Sequence, residues 1–223
     1  MNVTAGRRRL HVLVDAPDVP ELWWPLVGEV AQVADANPVA DPWPAAPDEE
    51  DVGQAILARA GDHLALVLPG LDVGTDGVPV HLRRLLVPVD RSPEERDALA
   101  PIVHRARDLG LAVGHLHVLT PRTRPVIWEG PGHHAEAWHA ELRRRQHLGE
   151  GGLTVASGDP AGLIRRAGRR SDLVVLCWQG DPAAGRARVV RGVLAGARPP
   201  LLLVSTGLRG EPRERPAAHA RVR

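Results

Sequence analysis

The stretch Arg83–Asp90, RRLLVPVD, with Arg91-Ser92-Pro93-Glu94-Glu95 behind it, decides the fold. A short apolar run that ends in Asp is the pattern of a parallel strand buried on both faces. Ser92 is a helix-capping residue type and Pro93 suits the first helical position. Glu94 and Glu95 complement the positive end of the helix dipole. This predicts a strand over 83–90 and a helix from Pro93 to about Leu109, with Leu99, Ile102, Val103 and Ala106 inward and Gly110 as its stop. Working outward, Ala112–Leu119 and Leu153–Ser157 read as the next two strands. Asp159-Pro160 opens a helix by the same cap-plus-proline logic, and Leu173–Cys177 is a fourth strand. A short helix near Val189–Ala197 and a strand Leu201–Val204 close the series. His133–Gln146 reads as a further helix behind the proline-bearing loop Pro121–Gly132. Strands alternating with helices mean an α/β fold, a parallel sheet sandwiched by helices. Its ligand site is expected beyond the carboxyl ends of the strands, near Asp90, Thr120, Ser157–Asp159 and Cys177–Gly180.

The first 80 residues echo this unit. Arg8–Asp15, RRLHVLVD, matches RRLLVPVD at six of eight positions with an offset of 75. Ala55–Gly70 repeats the helix-then-strand pattern of Gly162–Gly180, and the segment NPVADPWPAAPDEED between them reads as a proline-rich loop. Charge divides at the same place. Residues 1–80 carry 4 Arg against 13 Asp and Glu, and residues 81–223 carry 24 Arg against 14. An acidic half is expected to dock on a basic half, in the same chain or in a partner subunit. The organisation read from this is an acidic, reduced half over 1–80, an α/β domain over 81–206 and a mobile Arg-rich tail over 207–223.

Composition excludes several chemistries. The 223 residues contain no Lys, Phe or Tyr, so a Schiff-base lysine, a Walker lysine and stacking on Phe or Tyr are absent. The codons of these residues are AT-rich, which makes a GC-rich genome the plain explanation. The single Cys177 excludes an internal disulfide. No run of eighteen apolar residues occurs, and the N-terminus lacks the apolar core of a signal peptide, so a cytoplasmic location without a membrane partner is expected.

From Arg83 to Val204 the chain resembles the universal stress protein family. The strings RRLLVPVDRSPEERDAL, LAVGHLHVL, VASGDPAGLIRRAGRRSDLVVL and RPPLLLV carry the resemblance, in the family's strand order. The resemblance implies a flavodoxin-like sandwich, often dimeric and sometimes in tandem, with 1–80 as a degenerate first copy. The family's ATP binders carry Gly, two residues, Gly, nine residues, then Gly-Ser or Gly-Thr after the fourth strand. Glycines let backbone N–H groups approach phosphates, and the last pair opens a helix. Here Cys177 stands at the first glycine and Gly180 at the second, and the last pair reads as Ala187-Arg188 or Val190-Arg191. The ATP motif is therefore read as eroded. The resemblance keeps Pro88, Val89 and Asp90 as a strand end that contacts a nucleoside, and Val118 as backbone for a base edge. Arg186, Arg188 and Arg191 offer guanidinium charge in place of lost N–H donors. Cys177 and Trp178 form the rim, where Trp178 is positioned to fill or cover the pocket.

No constellation for catalysis or metal binding emerges. His133, His134, His139 and His147 lack the three- or four-residue spacing of a helical ligand pair. His115 and His117 share a strand face without an evident carboxylate and read as structural. Ser157 lies outside any nucleophile elbow, and Cys177 reads as a buried thiol, with a redox role as the alternative. The expected function is non-enzymatic binding and dimerisation in stress or metabolic regulation, as a homodimer or an intramolecular pseudo-dimer, with no cofactor required. The first alternative is an ATP or AMP binder, or a weak Mg-ATP hydrolase, using Asp90 and the three arginines. The second is binding of nucleic acid or a protein partner through the basic half, and the balanced total charge and missing aromatics argue against nucleic acid.

Overall fold

The computed structural model of the chain describes residues 8–14, 19–41, 55–57, 60, 64–68, 81–90, 92–120, 137, 140–144, 152–178 and 187–206. In order, these form β1 (Arg8–Val14), a 3-10 turn (Glu21–Trp23), α1 (Trp24–Ala34), β2 (Ala36–Asp41) and β3 (Leu64–Leu68). They continue as β4 (Arg84–Pro88), α2 (Pro93–Asp108), β5 (Ala112–Leu119), β6 (Leu153–Ser157), α3 (Pro160–Gly168), β7 (Leu173–Trp178), α4 (Arg188–Leu194) and β8 (Leu201–Ser205). Residues 55–57 and 60 before β3, and 140–144 before β6, are also helical. The rest of the expected 133–146 helix, and the 207–223 tail, lie outside the described residues.

The predicted starts and stops have direct structural causes. Ser92 caps α2, its Oγ accepting from the Glu95 amide at 3.0 Å, and Pro93 occupies the first turn. Gly110 leaves the helix at φ +77°, a left-handed value that costs glycine nothing. Asp159 caps α3 in the same manner, accepting from Gly162 N at 2.7 Å. The four inward residues foreseen on α2 are all buried.

One eight-stranded sheet carries the order β2-β1-β3-β8-β7-β4-β5-β6. All pairs are parallel except β3 with β8, where Ala65, Leu66 and Val67 oppose Leu203, Leu202 and Leu201. The amino-terminal strands and those of the following α/β unit thus share one sheet, joined at an antiparallel seam. They share a core as well. One face buries Leu10, Leu26 and Val30 together with Leu99, Ile102, Val175 and Leu202, and α1 packs against α2. The other face buries Leu13, Ile56 and Val67 with Ile164, Leu176, Val193 and Leu203.

One sequence expectation is corrected here. The start of the supposed proline-rich loop, Asn37-Pro38-Val39-Ala40-Asp41, belongs to β2 and pairs in parallel with β1. Proline cannot donate to a sheet ladder, and β2 accommodates it by lying at the end of the strand order with most of its residues exposed. No helix among the described residues is long and apolar enough to cross a membrane.

Residues 81–223 expressed alone are expected to self-associate or precipitate. Removing 1–80 uncovers the β8 edge and the apolar side chains that α1 and β3 cover. Size-exclusion chromatography with light scattering reads this directly. A monomer with the melting temperature and solubility of the full chain would contradict the shared core.

Candidate functional site

A cleft of about 480 Å³ opens where the strand order reverses, at the carboxyl ends of β4, β5 and β7. Pro88, Val89 and Asp90 supply one side, Leu116, His117 and Val118 another, and Leu176 with Cys177 a third. Pro160 and Ile164 of α3, and Val189 and Val190 of α4, close it. Gly192 makes this closure tight: a Cβ there would stand 2.8 Å from the Cβ of Ala161, so α4 seats directly on α3.

Five residues singled out in the sequence therefore meet in one place: Pro88, Val89, Asp90, Val118 and Cys177. Gly180 and Arg186 lie outside the described residues, as do His133, His134, His139 and His147. Three expectations are corrected. Trp178 does not cover the cleft. It is 4% exposed and belongs to the apolar cluster with Leu13, Val67 and Leu203, because alternation along β7 sets it on the same face as Val174 and Leu176. Arg188 is exposed at the first position of α4, and Arg191 stands one turn further along. Neither lines the cleft, because Val189 and Val190 take the positions that do.

The backbone before α4 is informative. Ala187 has φ +50° and ψ +19°, the left-handed conformation that glycine adopts without penalty. An L-residue with a Cβ pays roughly 1–2 kcal/mol there. Of the two alignments read from the sequence, only Ala187-Arg188 sets a left-handed residue at the glycine position.

Glu95, which the sequence reading used only as a helix-start residue, turns out to be a cleft residue. Its carboxylate accepts from the Asp90 amide at 2.7 Å, while the Asp90 carboxylate accepts from the Ser92 amide at 2.5 Å. The spacing S-x-x-E of a capping box signals this turn back toward the N-terminus. Burial is the main cause that pushes Glu95 up to about 9, followed by the side-chain hydrogen bond and the charge of Asp90. At neutral pH the Glu95 carboxyl thus keeps its proton. Cys177 is shifted upward too, by burial first and then by the Glu95 and Asp90 charges. His117 is buried and its Nδ1 donates to the Val89 carbonyl at 2.8 Å, which ties β5 to the end of β4. Among the described residues no cluster of three or more His, Cys, Asp or Glu is arranged to hold a metal ion.

Two outcomes follow from this chemistry. Unfolding at neutral pH releases the Glu95 proton, since the group ionises at 4.5 when unfolded and at about 9 when folded. Its contribution to stability is full below 4.5 and is lost as pH rises toward 9. Glu95→Gln, which keeps a neutral side chain, is expected to flatten that slope in urea-unfolding titrations; an unchanged slope would place the proton elsewhere. Cys177 is expected to react slowly with a thiol reagent at pH 7, because only the thiolate is nucleophilic. Rapid stoichiometric labelling of the native chain would restore a redox role.

Comparison with known proteins agrees with the geometry. The model of the universal stress protein family matches residues 81–205. A search among curated proteins returns no match. Among solved structures, a putative universal stress protein from Pseudomonas aeruginosa is 14% identical, with 89% of this chain and 93% of that one aligned at a TM-score of 0.50. A universal stress protein from Archaeoglobus fulgidus is 16% identical over 89% of this chain and 86% of that one, with a TM-score of 0.48. A universal stress protein in complex with cAMP is 16% identical and covers 56% of this chain and 98% of its own, with a TM-score of 0.43. Over more than half its length the sequence fits one family's model, and the strands and helices stand in that family's flavodoxin-like arrangement: the chain belongs to the universal stress protein family.

Proposed function

We propose that this protein is a non-enzymatic binding member of the family, acting in stress or metabolic regulation, whose cleft has lost most of its affinity for nucleotide phosphates. The observation that carries this reading is the composition of the cleft. Its described wall holds two carboxyl groups, Asp90 and Glu95, and no arginine. A triphosphate brought there meets carboxyl oxygens and apolar side chains, with Arg188 outside the lining. The Ala187 Cβ stands where a phosphate loop uses glycine, and Arg188 lacks the hydroxyl donor of serine.

The antiparallel seam supports a second part of the reading: the chain is its own pseudo-dimer. β1 lies between β2 and β3 as β4 lies between β5 and β7, all in parallel, and the repeated RRLxVxVD falls on β1 and β4. Residues 1–80 are then a reduced second copy that covers the β8 edge.

A nucleotide-binding reading is kept for a specific reason. Asp90 and Val118 do face the cleft, and one structurally similar family member was solved with cAMP. Titration calorimetry with Mg-ATP decides. A lost charged hydrogen bond costs roughly 1.5–3 kcal/mol, so two losses weaken binding on the order of 10²–10⁴-fold. The expected Kd is therefore weaker than about 100 μM. The double substitution Ala187→Gly with Arg188→Ser is expected to tighten it at least about tenfold, a change of about 1.4 kcal/mol. Micromolar binding by the unaltered chain that vanishes in Asp90→Ala and Arg188→Ala would establish the nucleotide reading instead.

A further inference from the structure

The strands of the 81–205 unit begin at the end of the sheet opposite the cleft, and that rim is basic. Arg83 and Arg84 open β4, Arg169 and Arg170 stand between α3 and β7, and Arg198 stands between α4 and β8. The three strands are neighbours, in the order β8-β7-β4. Strands lie about 4.8 Å apart, so the three starts span about 10 Å. Contacts make the rim continuous. A Cβ on Gly168 would stand 3.4 Å from Cγ of Pro199, which sets the backbone of Arg169 near that of Arg198. The Arg83 and Arg84 amides both donate to Asp172, at 2.8 Å each, which sets the start of β4 beside that of β7.

All five arginines are exposed, and none pairs with a carboxylate among the described residues. Asp172 is the acid in their midst, and one of its oxygens already accepts from the two amides. Asp108, at the end of α2, pairs with His104 at 3.5 Å. The dipole of α3 explains Arg165 and Arg166 in its last turn, but that effect falls off within one turn. It accounts neither for Arg83 and Arg84 at a strand start nor for Arg198, beyond the end of α4. Like charges gathered in this way repel one another until an anion neutralises them. The total charge of +1 hides the cluster, because residues 1–80 hold 13 of the 27 acidic residues. In the segments 83–84, 168–172 and 195–200 no aromatic or large apolar side chain is exposed. Protein interfaces and membrane-surface segments centre on such side chains. A row of guanidiniums without them suits phosphates, which arginine binds in bidentate fashion.

We propose that this rim is a docking surface for a nucleic-acid duplex, held through its phosphates without reading its bases. Duplex DNA carries one negative charge per about 1.7 Å of axis, so a rim of about 10 Å spans about six of them. The missing Phe and Tyr bear on the stacking of unpaired bases and leave phosphate contacts untouched. The inference stands apart from the proposed loss of nucleotide affinity, because the cleft lies at the opposite end of the sheet.

The test is fluorescence anisotropy of the full-length chain with two labelled DNA duplexes of unrelated sequence, titrated over a range of salt concentrations. Both are expected to bind about equally. Their affinity is expected to fall about 10²-fold between about 50 and 200 mM salt, as about four phosphate contacts require. A single strand of the same length is expected to bind more weakly and with a shallower salt dependence. Arg83→Gln, Arg169→Gln and Arg198→Gln each lower the log–log salt slope by about 0.9, and Arg188→Gln, at the cleft end, leaves it unchanged. Labelling of the unaltered chain with phenylglyoxal, an arginine-selective reagent, is expected to show the rim arginines protected by the duplex. That readout stands even where a variant fails to fold. The proposal is overturned if the duplexes fail to bind, whether or not anionic phospholipid vesicles do. It is also overturned if the single strand binds more tightly, if the three substitutions together keep the salt slope, or if protection falls on residues 207–223 alone.

Discussion

The antiparallel pairing of β3 with β8 is the constraint on which the rest of the structure depends. Both strands are buried along their whole length, five residues each. Neither can be left as an edge without exposing apolar faces and a row of unmatched backbone groups. Pairing them turns two segments of opposite charge into one sheet with two continuous cores. It also fixes where chemistry can occur. Because β1, β2 and β3 run opposite to β4 through β8, their carboxyl ends lie at the far end of the sheet from the cleft. A single reversal of direction thus sets the carboxyl ends of β4, β5 and β7 apart from those of β1, β2 and β3.

Within that unit the start of α2 does two jobs with the same residues. Ser92 and Pro93 begin the helix, and Glu95 in its first turn reaches back to the Asp90 amide. The geometry that caps the helix thus brings a second carboxyl beside Asp90 in a partly buried place. Burial first, and then the neighbouring Asp90, disfavour the Glu95 carboxylate, so Glu95 keeps its proton. The helix start and the acid chemistry of the cleft are one arrangement, and a change at Glu95 touches both.

Much of this was legible in the sequence, for reasons that are local. Cap residues, prolines at first turns and short apolar runs act over a few residues, so Ala112–Leu119, Leu153–Ser157 and the start of α3 stand where they were expected. Pro88, Val89, Asp90 and Val118 line one cleft, because strands of a parallel sheet end on the same side. What escaped depends on partners distant in the chain. Pro38 argued for a loop until β1 was seen to offer its pairing edge. Trp178 reads as a rim residue by position, yet the alternation of β7 sets it on the buried face of Val174 and Leu176. Glu95 reads as a dipole complement, and only the burial of the turn makes it a proton-holding group. His115 was read as structural because no carboxylate stands near it in sequence. Its actual neighbour, Arg107, comes from the preceding helix.

Ala187 joins these strands of the argument. A left-handed backbone at a residue with a Cβ persists only where the surroundings hold it there. Here the surroundings are visible: Gly192 lets α4 sit against Ala161, and Val190 and Val193 are buried beneath it. Packing downstream dictates the turn, and Ala187 adopts it at a cost that a glycine would not carry. A cleft built this way keeps its shape when its ligand chemistry changes, because the forces that shape it lie in the apolar contact between α3 and α4 and not in the ligand.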